Sequence, residues 1–188
     1  MGIAAINTEE QKAQVRWFVM RAYKNERQAA DWLTEEGLEH FIPMCYAVRV
    51  YHGVKSRKLV PAIPSLIFVH ARQSDIAAFK KHFNQLQFVT WQDKVAGLEY
   101  LTVPDDEMEN FIRVASRYDD NPIYLKPDEV NLKRGMRVRI LGGGLDGVTG
   151  VFVRIKGKGK RNRRLVVMLD GIMAIAAEVQ PDLIEVLP

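Results

Sequence analysis

The chain has 188 residues, of which 47% are apolar and 27% charged, and its formal net charge is +4. This balance is typical of a globular protein with one large or two small domains. No apolar run approaches the roughly 20 residues of a membrane-spanning helix. The single cysteine excludes an internal disulfide framework. The four histidines are scattered along the sequence and do not form a metal-binding cluster. The composition therefore predicts a cytoplasmic protein without a signal peptide, a metal or another cofactor.

The beginning of the chain predicts a tail, a buried strand and a helix. Residues 1–14 are polar and aperiodic, as in a flexible tail. Residues 15–22 place apolar side chains on both faces of a strand, which indicates a central position in a sheet. Asn25 is a suitable N-cap for the helix that follows, and Gly37 supplies the left-handed residue with which helices often end.

The middle of the chain predicts a basic hairpin followed by another strand and helix. An extended run, Phe41–Tyr51, leads into Arg49–Lys58, where five basic residues surround Gly53. After turns that contain proline, Leu66–Val69 has the composition of a strand. A helix is predicted over residues 74–83, with Ser74 and Asp75 at its start.

A further strand and a third helix complete the first predicted domain. Phe88–Trp91 is rich in strand-forming residues, and Pro104 followed by three acids marks a helix start that suits the helix dipole. This helix continues to about Arg117. The order β-α-β-β-α-β-α predicts one α+β sheet domain over residues 15–118. Two prolines, four acids and a lack of periodicity predict a linker over residues 119–132.

The C-terminal part is a small basic module. Residues 133–188 hold 11 Lys and Arg against 5 Asp and Glu, whereas residues 1–132 hold 16 against 18. Six of these cations lie within the nine residues Lys156–Arg164. Such a module beside a nearly neutral domain indicates an anionic partner, although a solvated, solubilising surface is the alternative interpretation.

Short strands and glycine-rich turns are predicted within this module. Val138–Leu141 and Val148–Val153 flank a reversal at Gly142–Gly147, and Gly150 allows a bulge or a close backbone approach. Residues 164–177 are expected to form a second hairpin that turns at Asp170-Gly171, and residues 183–187 a closing strand.

The reversal also matches the pattern G-x-G-x-x-G, with Gly142, Gly144 and Gly147 at the glycine positions. In dinucleotide-binding folds this pattern must open a helix whose N-terminus holds the pyrophosphate. The residues that follow Gly147 are poor helix formers. We therefore expect a hairpin here and not a dinucleotide site.

Two sets of motifs resemble known families. In the basic module, Gly135, Val138-Arg139-Ile140, Gly143 and Gly150-Val151 resemble the KOW motif, which occurs in ribosomal proteins and in elongation factors of the NusG class. The segments that resemble the NusG N-terminal domain are Arg16-Trp17-Phe18-Val19, Phe41-Ile42-Pro43, Pro64-Ser65-Leu66-Ile67-Phe68-Val69 and Val103-Pro104-Asp105-Asp106-Glu107-Met108. By this resemblance the chain is identified as a NusG-like factor over nearly all of residues 15–188.

The resemblance implies an architecture and a subclass. A NusG N-terminal α/β sandwich over residues 15–118 would be joined by the linker to a small SH3-like β-barrel, the KOW domain, over residues 133–188. The pattern is most similar to the specialised paralogues RfaH and UpxY, which act as antiterminators on particular operons, often for surface polysaccharides. General NusG proteins usually have Gly-Tyr where this chain has Ser65-Leu66, and this departure argues against the housekeeping member.

The resemblance also implies sites and partners. An apolar depression lined by Ile63, Leu66 and Phe68, with Arg21 beside it, would bind the clamp helices of the largest RNA polymerase subunit. Core packing of Leu66 and Phe68 is the alternative. The basic hairpin would lie near upstream DNA, and the C-terminal cationic run would suit nascent RNA. The residues assigned to nucleic acid are Arg49, Tyr51, His52, Lys55, Arg57, Lys58, Lys158, Lys160, Arg161 and Arg163. A ribosomal or regulatory protein is the expected partner of the KOW domain, and we expect a monomer that needs no membrane.

Two other functions remain as alternatives. An enzyme is disfavoured because the adjacent acids at Asp105–Glu107 and Asp119-Asp120 suit helix capping and solubility, and no catalytic set or phosphate-binding loop is evident. A KOW-containing RNA-binding protein of the ribosome or translation machinery is the other alternative. Ribosomal KOW proteins lack an N-terminal domain of this kind, so the transcription factor is preferred.

Overall fold

The computed structural model describes residues 13–23, 25–93, 97–118, 122–126, 135–154, 163–169, 172–179 and 184–188. The chain divides into two compact units, the first formed by Met1–Pro43 with Ile63–Asp105 and the second by Met44–Ala62 with Asp106–Pro188. Most of the predicted N-terminal tail, residues 1–12, lies outside the described residues.

The described residues form mainly short antiparallel strands with three α-helices among them. In chain order the elements are β1 (Arg16–Ala22), α1 (Glu26–Glu35), β2 (Glu39–Phe41), β3 (Met44–Tyr51), β4 (Val54–Pro61), β5 (Leu66–Ala71), α2 (Gln73–His82), β6 (Leu86–Phe88), β7 (Thr90–Asp93), β8 (Gly97–Tyr100), β9 (Thr102–Val103), α3 (Asp105–Ala115), β10 (Ile123–Leu125), β11 (Met136–Ile140), β12 (Thr149–Arg154), β13 (Arg163–Leu169), β14 (Met173–Ala177) and β15 (Ile184–Val186). In the described part of the chain no helix is both long enough and apolar enough to cross a membrane.

The first unit is built on a sheet in which β1 is the central strand. The strand order is β2-β5-β1-β6, and β9 also pairs with β1. Trp17, Phe18, Val19 and Met20, which alternate between the two faces of β1, are each at most 5% exposed. The prediction that the first strand is covered on both faces is therefore confirmed.

Helices α1 and α2 pack on one face of this sheet. The core between them contains Phe18, Met20, Ala22, Ala29, Leu33, Ile67, Val69, Ala71, Ile76, Phe79, Phe83 and Leu86. Alternation along β5 directs Leu66, Phe68 and His70 to the opposite face. Removal of these apolar side chains from water is the main source of stability for the unit.

Helix α1 begins and ends as the sequence predicts. The Asn25 side chain accepts a hydrogen bond from the N–H of Gln28 at 3.1 Å, which satisfies one of the unpaired donors of the first turn. Gly37 follows the helix with a φ of +68°. This is the left-handed conformation that glycine adopts without a steric cost.

Helix α2 begins earlier than predicted. Arg72 occupies the N-cap position and makes no side-chain cap bond, whereas Ser74 lies inside the first turn. The Ser74 hydroxyl donates to the carboxylate of Asp75 at 3.2 Å. Arg72 is still extended and the helical residues begin at Gln73, so Ser74 lies too far into the helix to be its N-cap.

Two predicted strands are each divided in the structure. The run Phe41–Tyr51 is interrupted at Ile42-Pro43, since proline has no N–H to contribute to a ladder. The run Phe88–Trp91 is divided between β6 and β7, which belong to different sheets. At the division the N–H of Val89 donates to the carbonyl oxygen of Val19 at 2.9 Å, so this residue still contacts β1.

The second unit contains the β3–β4 hairpin, helix α3 and a six-stranded sheet. The sheet has the order β10-β14-β13-β12-β11-β15, and its neighbouring strands are antiparallel. Its core includes Val138, Ile140, Leu165, Leu169 and Ile175, each at most 2% exposed. The strands predicted at residues 138–141, 148–153, 164–170, 172–177 and 183–187 are all present with small shifts in their ends.

The glycine-rich reversal between β11 and β12 is also present. Residues Gly143–Leu145 form a single 3₁₀ turn, and strand β12 follows it. No helix opens after Gly147, so the dinucleotide interpretation is excluded. A Cβ atom placed on Gly150 would lie 2.6 Å from the backbone oxygen of Val166, which confirms the predicted close approach of two backbones.

One strand lies inside the segment predicted to be a linker. Ile123–Leu125 forms β10 and pairs with β14 through Ile123↔Ala176, Tyr124↔Ile175 and Leu125↔Ala174. Three residues are too few to show periodicity, and their partners are distant in sequence, so the pattern alone did not indicate the strand. The rest of the predicted linker, except Pro122 and Lys126, lies outside the described residues.

Side chains of α3 and of the residues just after it contact the glycine-rich reversal. The Arg113 guanidinium donates to the carbonyl oxygen of Asp146. Arg117 lies against Gly144, where an added Cβ atom would be 1.5 Å from its Nη1 atom. The absence of a side chain at Gly144 therefore leaves the space that the Arg117 guanidinium occupies.

Candidate nucleic-acid interface

A two-residue turn forms the tip of the basic hairpin. Strands β3 and β4 stay in register as far as the Tyr51–Val54 pair, so only His52 and Gly53 connect them. Both residues have positive φ, +46° for His52 and +78° for Gly53, as in the type I′ turns whose twist matches that of paired strands. The sequence indicates the glycine of this turn, whereas the left-handed backbone of His52 follows from the length of the turn.

The assigned side chains of this hairpin are all exposed: Arg49, Tyr51, His52, Lys55, Arg57 and Lys58. Tyr51 is 75% exposed, and its ring meets that of His52 edge to face with 4.2 Å between centroids. The two rings thus form the outermost aromatic surface of the hairpin. A ring with this exposure is available for stacking on a base.

Strand register divides these side chains between two faces. In an antiparallel pair, directly opposite residues share a face and successive residues alternate. One face, which we call the tyrosine face, carries Arg49, Tyr51 and Lys58. The other, which we call the valine face, carries Val48, Val50, Lys55 and Arg57. The composition alone predicts one cluster of cations, whereas the strand register separates them into two pairs.

The hairpin carries positive charge that its own sequence does not neutralise. Met44–Ala62 contains four Lys and Arg residues and no Asp or Glu. On the valine face, the guanidinium carbon of Arg57 lies 3.7 Å from the ring centroid of Tyr46, a cation–π contact that orients it. On the tyrosine face, Arg49 lies two residues before the open ring of Tyr51, and Lys58 lies farther along the same face, opposite Ala47. This arrangement can stack on a base while the cations contact phosphates.

Tyr124 joins the base of the hairpin to β10. Its hydroxyl donates a hydrogen bond to the carbonyl oxygen of Met44 at 2.9 Å, and its ring lies 6.5 Å from that of Phe111. Burial raises the pKa of Tyr124 well above its ordinary value, and the nearby Cys45 and Tyr118 add to the rise. No pattern in the sequence indicates a role for Tyr124, because it lies in the aperiodic segment that is predicted to be a linker.

The residues assigned to polymerase binding differ in their exposure. Leu66 is 4% exposed and Phe68 is fully buried, whereas Ile63 is half-buried and Arg21 exposed. Arg21 and Leu66 are direct partners in the pairing of β1 with β5. Leu66 and Phe68 thus lie in the interior of this structure, and only Arg21 and Ile63 reach its surface.

A tight turn before β5 holds Ile63 in place. The N–H of Leu66 donates to the carbonyl oxygen of Ile63 at 3.3 Å, and Ser65 between them has a φ of +66°. The N–H of Ser65 donates to the carboxylate of Glu26 on α1, and its carbonyl oxygen accepts from the N–H of Ala22 at 2.8 Å. Glu26 could not be identified from the sequence, because its contact with Ser65 joins residues far apart in the chain.

The remaining assigned cations lie in or beside the segment 155–162, which is outside the described residues. Lys158, Lys160 and Arg161 belong to that segment, and Arg163 begins β13. Their assignment to nucleic acid stays a prediction. Within the described ranges, no group of three or more His, Cys, Asp or Glu side chains is placed to hold a metal ion.

These features are those of a mixed α/β protein with an exposed basic hairpin. Residues 15–112, slightly more than half of the chain, match the family described as transcription termination factor nusG. The chain therefore belongs to the NusG family. Proteins of this family act in transcription elongation and termination and generally bind RNA polymerase. No curated protein matches the sequence at a significant level.

Proposed function

We propose that this protein is a specialised NusG paralogue of the UpxY and RfaH type, which suppresses pausing and termination on particular operons. Membership of the NusG family supports a role in transcription. The tyrosine face carries the more specific part of the proposal, since it combines a highly exposed ring next to the hairpin turn with two cations on the same face. Surface polysaccharide operons are the proposed targets.

In the proposed mechanism, the first unit binds the clamp helices of the largest polymerase subunit and the hairpin contacts nucleic acid in the same elongation complex. A protein that bridges the cleft in this way disfavours opening of the clamp and pausing stabilised by RNA hairpins. Catalysis remains with the polymerase. The protein acts by shifting the populations of polymerase states, to the extent that it binds one state better than another.

The hairpin is the proposed source of operon selectivity. The clamp is the same in every elongation complex, so it cannot distinguish one operon from another. Phosphate contacts from Arg49 and Lys58 would position the hairpin without reading sequence. Tyr51 offers a stacking surface and His52 a hydrogen-bond donor and acceptor, so these two side chains would discriminate between bases.

The decisive experiment compares genome-wide occupancy of wild type with that of a Tyr51→Ala, His52→Gly variant. Glycine at position 52 keeps the positive φ of the turn while removing the ring. We expect occupancy to spread across operons or to leave the native one, while binding to purified polymerase changes little. Tyr23→Ala, which removes an exposed tyrosine from the other unit, is the control. An unaltered map for the double variant would refute the role of the hairpin tip.

The polymerase contact is proposed at Arg21 and Ile63, which are the accessible members of the set that includes the buried Leu66 and Phe68. A charged substitution at Leu66 is unsuitable as a test, because it would place a carboxylate in the interior and disturb the fold. Ile63→Asp combined with Arg21→Ala changes one half-buried and one exposed side chain and leaves the buried Leu66 and Phe68 intact. We expect this variant to keep its melting temperature and to lose co-purification with polymerase. Retained co-purification would refute this contact.

Residues 133–188, which contain strands β11 to β15, are the proposed KOW domain, with the SH3-like barrel topology that the motif implies. Support comes from its antiparallel strand order and from the contact of Gly150 with the backbone of Val166. Its cationic run, including Lys158, Lys160, Arg161 and Arg163, would contact nascent RNA. A ribosomal or regulatory protein is the proposed second partner. Co-purification of ribosomes in place of polymerase would favour the translation-factor alternative.

A further inference from the structure

A stack of aromatic rings runs from the core of the first unit to its surface. Tyr100 and Phe88 are stacked with 4.2 Å between ring centroids and 23° between ring planes. Phe88 in turn meets Phe18 edge-on at 5.5 Å, and Phe18 belongs to the buried core. Tyr100 is the outer end of this stack and remains 38% exposed.

Backbone hydrogen bonds hold Tyr100 in position. It pairs with Thr90 in the β7–β8 hairpin. The next residue, Leu101, donates its N–H to Val89 at 2.8 Å and accepts the N–H of Val19 at 2.9 Å. Tyr100 is thus anchored beside the central strand of the sheet. A ring that is already fixed loses little conformational entropy when it binds a ligand.

Positive charge lies beside this stack. The ammonium of Lys80 is 4.9 Å from the ring centroid of Phe88, and Lys81 and His82 complete the last turn of α2. Cations at a helix C-terminus are favourable in any protein, so the charge alone does not indicate a ligand. Here, however, one cation is held against a ring whose other neighbour is an exposed tyrosine.

The residues of β7 and β8 that lie on the same face as Tyr100 carry no negative charge. Alternation along β7 and β8 places Thr90, Gln92 and Leu98 on the same face as Tyr100. Leu98 is 68% exposed, whereas Glu99 lies on the opposite face and is 7% exposed. The paired residues of this face are therefore uncharged and include the aromatic ring of Tyr100 and the exposed Leu98, while the Glu99 carboxylate is directed to the other face.

We propose that Tyr100 is a stacking site for an unpaired base of single-stranded nucleic acid, and that Lys80 contacts a neighbouring phosphate. Every base presents a π-face and every nucleotide a phosphate, so the site binds with little sequence preference. It differs in this respect from the hairpin tip, which is proposed to discriminate between bases. The site goes beyond the proposed function, because it belongs to the first unit and needs no polymerase.

The test measures binding of the full-length protein to an oligothymidylate of about 12 nucleotides by fluorescence anisotropy. All proteins carry Tyr51→Ala, so that stacking at the hairpin tip does not mask the site. Tyr100→Ala is expected to weaken binding about tenfold, and Tyr100→Phe, which keeps the ring, to leave it within about twofold. Tyr23→Ala is the matched control, since it removes a tyrosine that is 50% exposed elsewhere on the unit, and it should not change binding.

Two further measurements keep the proposal falsifiable if Tyr100→Ala does not fold. Lys80→Gln should reduce the slope of log affinity against log salt by about 0.7, as expected for one phosphate contact on a single strand. A 2-aminopurine at the centre of the oligonucleotide should lose fluorescence when it stacks on the wild-type site. An unchanged slope together with unchanged fluorescence would overturn the proposal.

The remaining outcomes also decide it. Wild-type affinity in a folded Tyr100→Ala protein would overturn the proposal, and so would a loss in Tyr100→Phe as large as that in Tyr100→Ala. Preference for a duplex of the same length would overturn it as well, because paired bases offer no free face. Binding that depends on Tyr100 would support the site, whether the ligand is the oligothymidylate or an oligouridylate. The tighter of the two ligands would show whether DNA or RNA supplies the base.

Discussion

Asn110 of α3 and Thr149 of β12 are joined by two hydrogen bonds. The Asn110 Oδ1 atom accepts the backbone N–H of Thr149, and its Nδ2 atom donates to the Thr149 hydroxyl, each at 3.2 Å. Asn110 lies within residues 15–112, which match the NusG family, whereas Thr149 lies beyond them. This pair therefore connects the segment that identifies the family to the C-terminal sheet.

Removing the Asn110 side chain should loosen this connection. In Asn110→Ala both bonds are lost, so we expect the Thr149 amide to exchange with solvent faster and the free energy of unfolding to fall by about 1–3 kcal/mol. Thr149→Val is the matched control, because it removes the hydroxyl bond but keeps the backbone bond to Oδ1. Hydrogen exchange resolved at residue 149 is the measurement. Equal exchange in wild type and Asn110→Ala would show that the pair contributes nothing.

A methyl group at Gly150 should destabilise the second unit, whereas one at Gly144 should be tolerated. At Gly150 the new Cβ would be 2.6 Å from the backbone oxygen of Val166, so the paired strands must move apart. At Gly144 it would meet only the end of the flexible Arg117 side chain. We expect Gly150→Ala to lose about 1–3 kcal/mol in urea unfolding and Gly144→Ala less than about 1 kcal/mol. Equal losses would contradict this account of the close approach.

The two faces of the hairpin should differ in nucleic-acid binding although they carry equal charge. Arg49→Gln with Lys58→Gln removes both cations of the tyrosine face, and Lys55→Gln with Arg57→Gln removes both from the valine face. We expect the first variant to reduce the salt slope on duplex DNA by about 1.8, the value for two phosphate contacts, and the second to change it little. Anisotropy titrations at several salt concentrations measure the slopes. Equal slopes for both variants would mean that only net charge matters.

The free energy of unfolding should fall at alkaline pH because of the Tyr124 hydroxyl. Its folded-state pKa is raised by burial, so the folded protein keeps a proton that the unfolded chain releases above its ordinary pKa of about 10. The stabilising contribution is complete below that pH, and it is lost as pH rises toward the folded pKa, by at most about 1.4 kcal/mol per pH unit.

Urea unfolding at about pH 8 and about pH 11 tests this dependence. Tyr124→Phe should be less stable at the lower pH, because it lacks the hydrogen bond to Met44, and should lose less stability between the two values. Tyr23→Phe, a change at an exposed position, should follow the wild-type curve. If Tyr124→Phe loses as much stability as wild type, another group is responsible.

Much of the fold follows from patterns that are local in the sequence. The double-sided apolar pattern of β1 indicated its central place, Asn25 indicated the start of α1, and the glycines at 142–147 indicated a reversal. Each of these depends on residues within a few positions of one another. Steric and hydrogen-bonding rules act directly at that range, and so the pattern is sufficient.

Only part of the candidate site could be predicted from local sequence patterns. The cations and rings of the hairpin were identified from composition, and Gly53 from the chemistry of turns. Their division into a tyrosine face and a valine face requires the pairing register, because a shift of one residue would exchange the faces. The sequence therefore determined which side chains the hairpin carries, and the register decided which of them act together.

Contacts between distant residues were decided by the tertiary structure alone. Leu66 and Phe68 have the same apolar pattern whether they line an open depression or lie inside, and packing placed them inside. The strand at Ile123–Leu125, the bond of Ser65 to Glu26 and the stack of Phe88 on Tyr100 likewise join residues that are far apart in the chain. Their energies depend on the positions of both partners in the folded chain, and a one-dimensional pattern describes only one partner at a time.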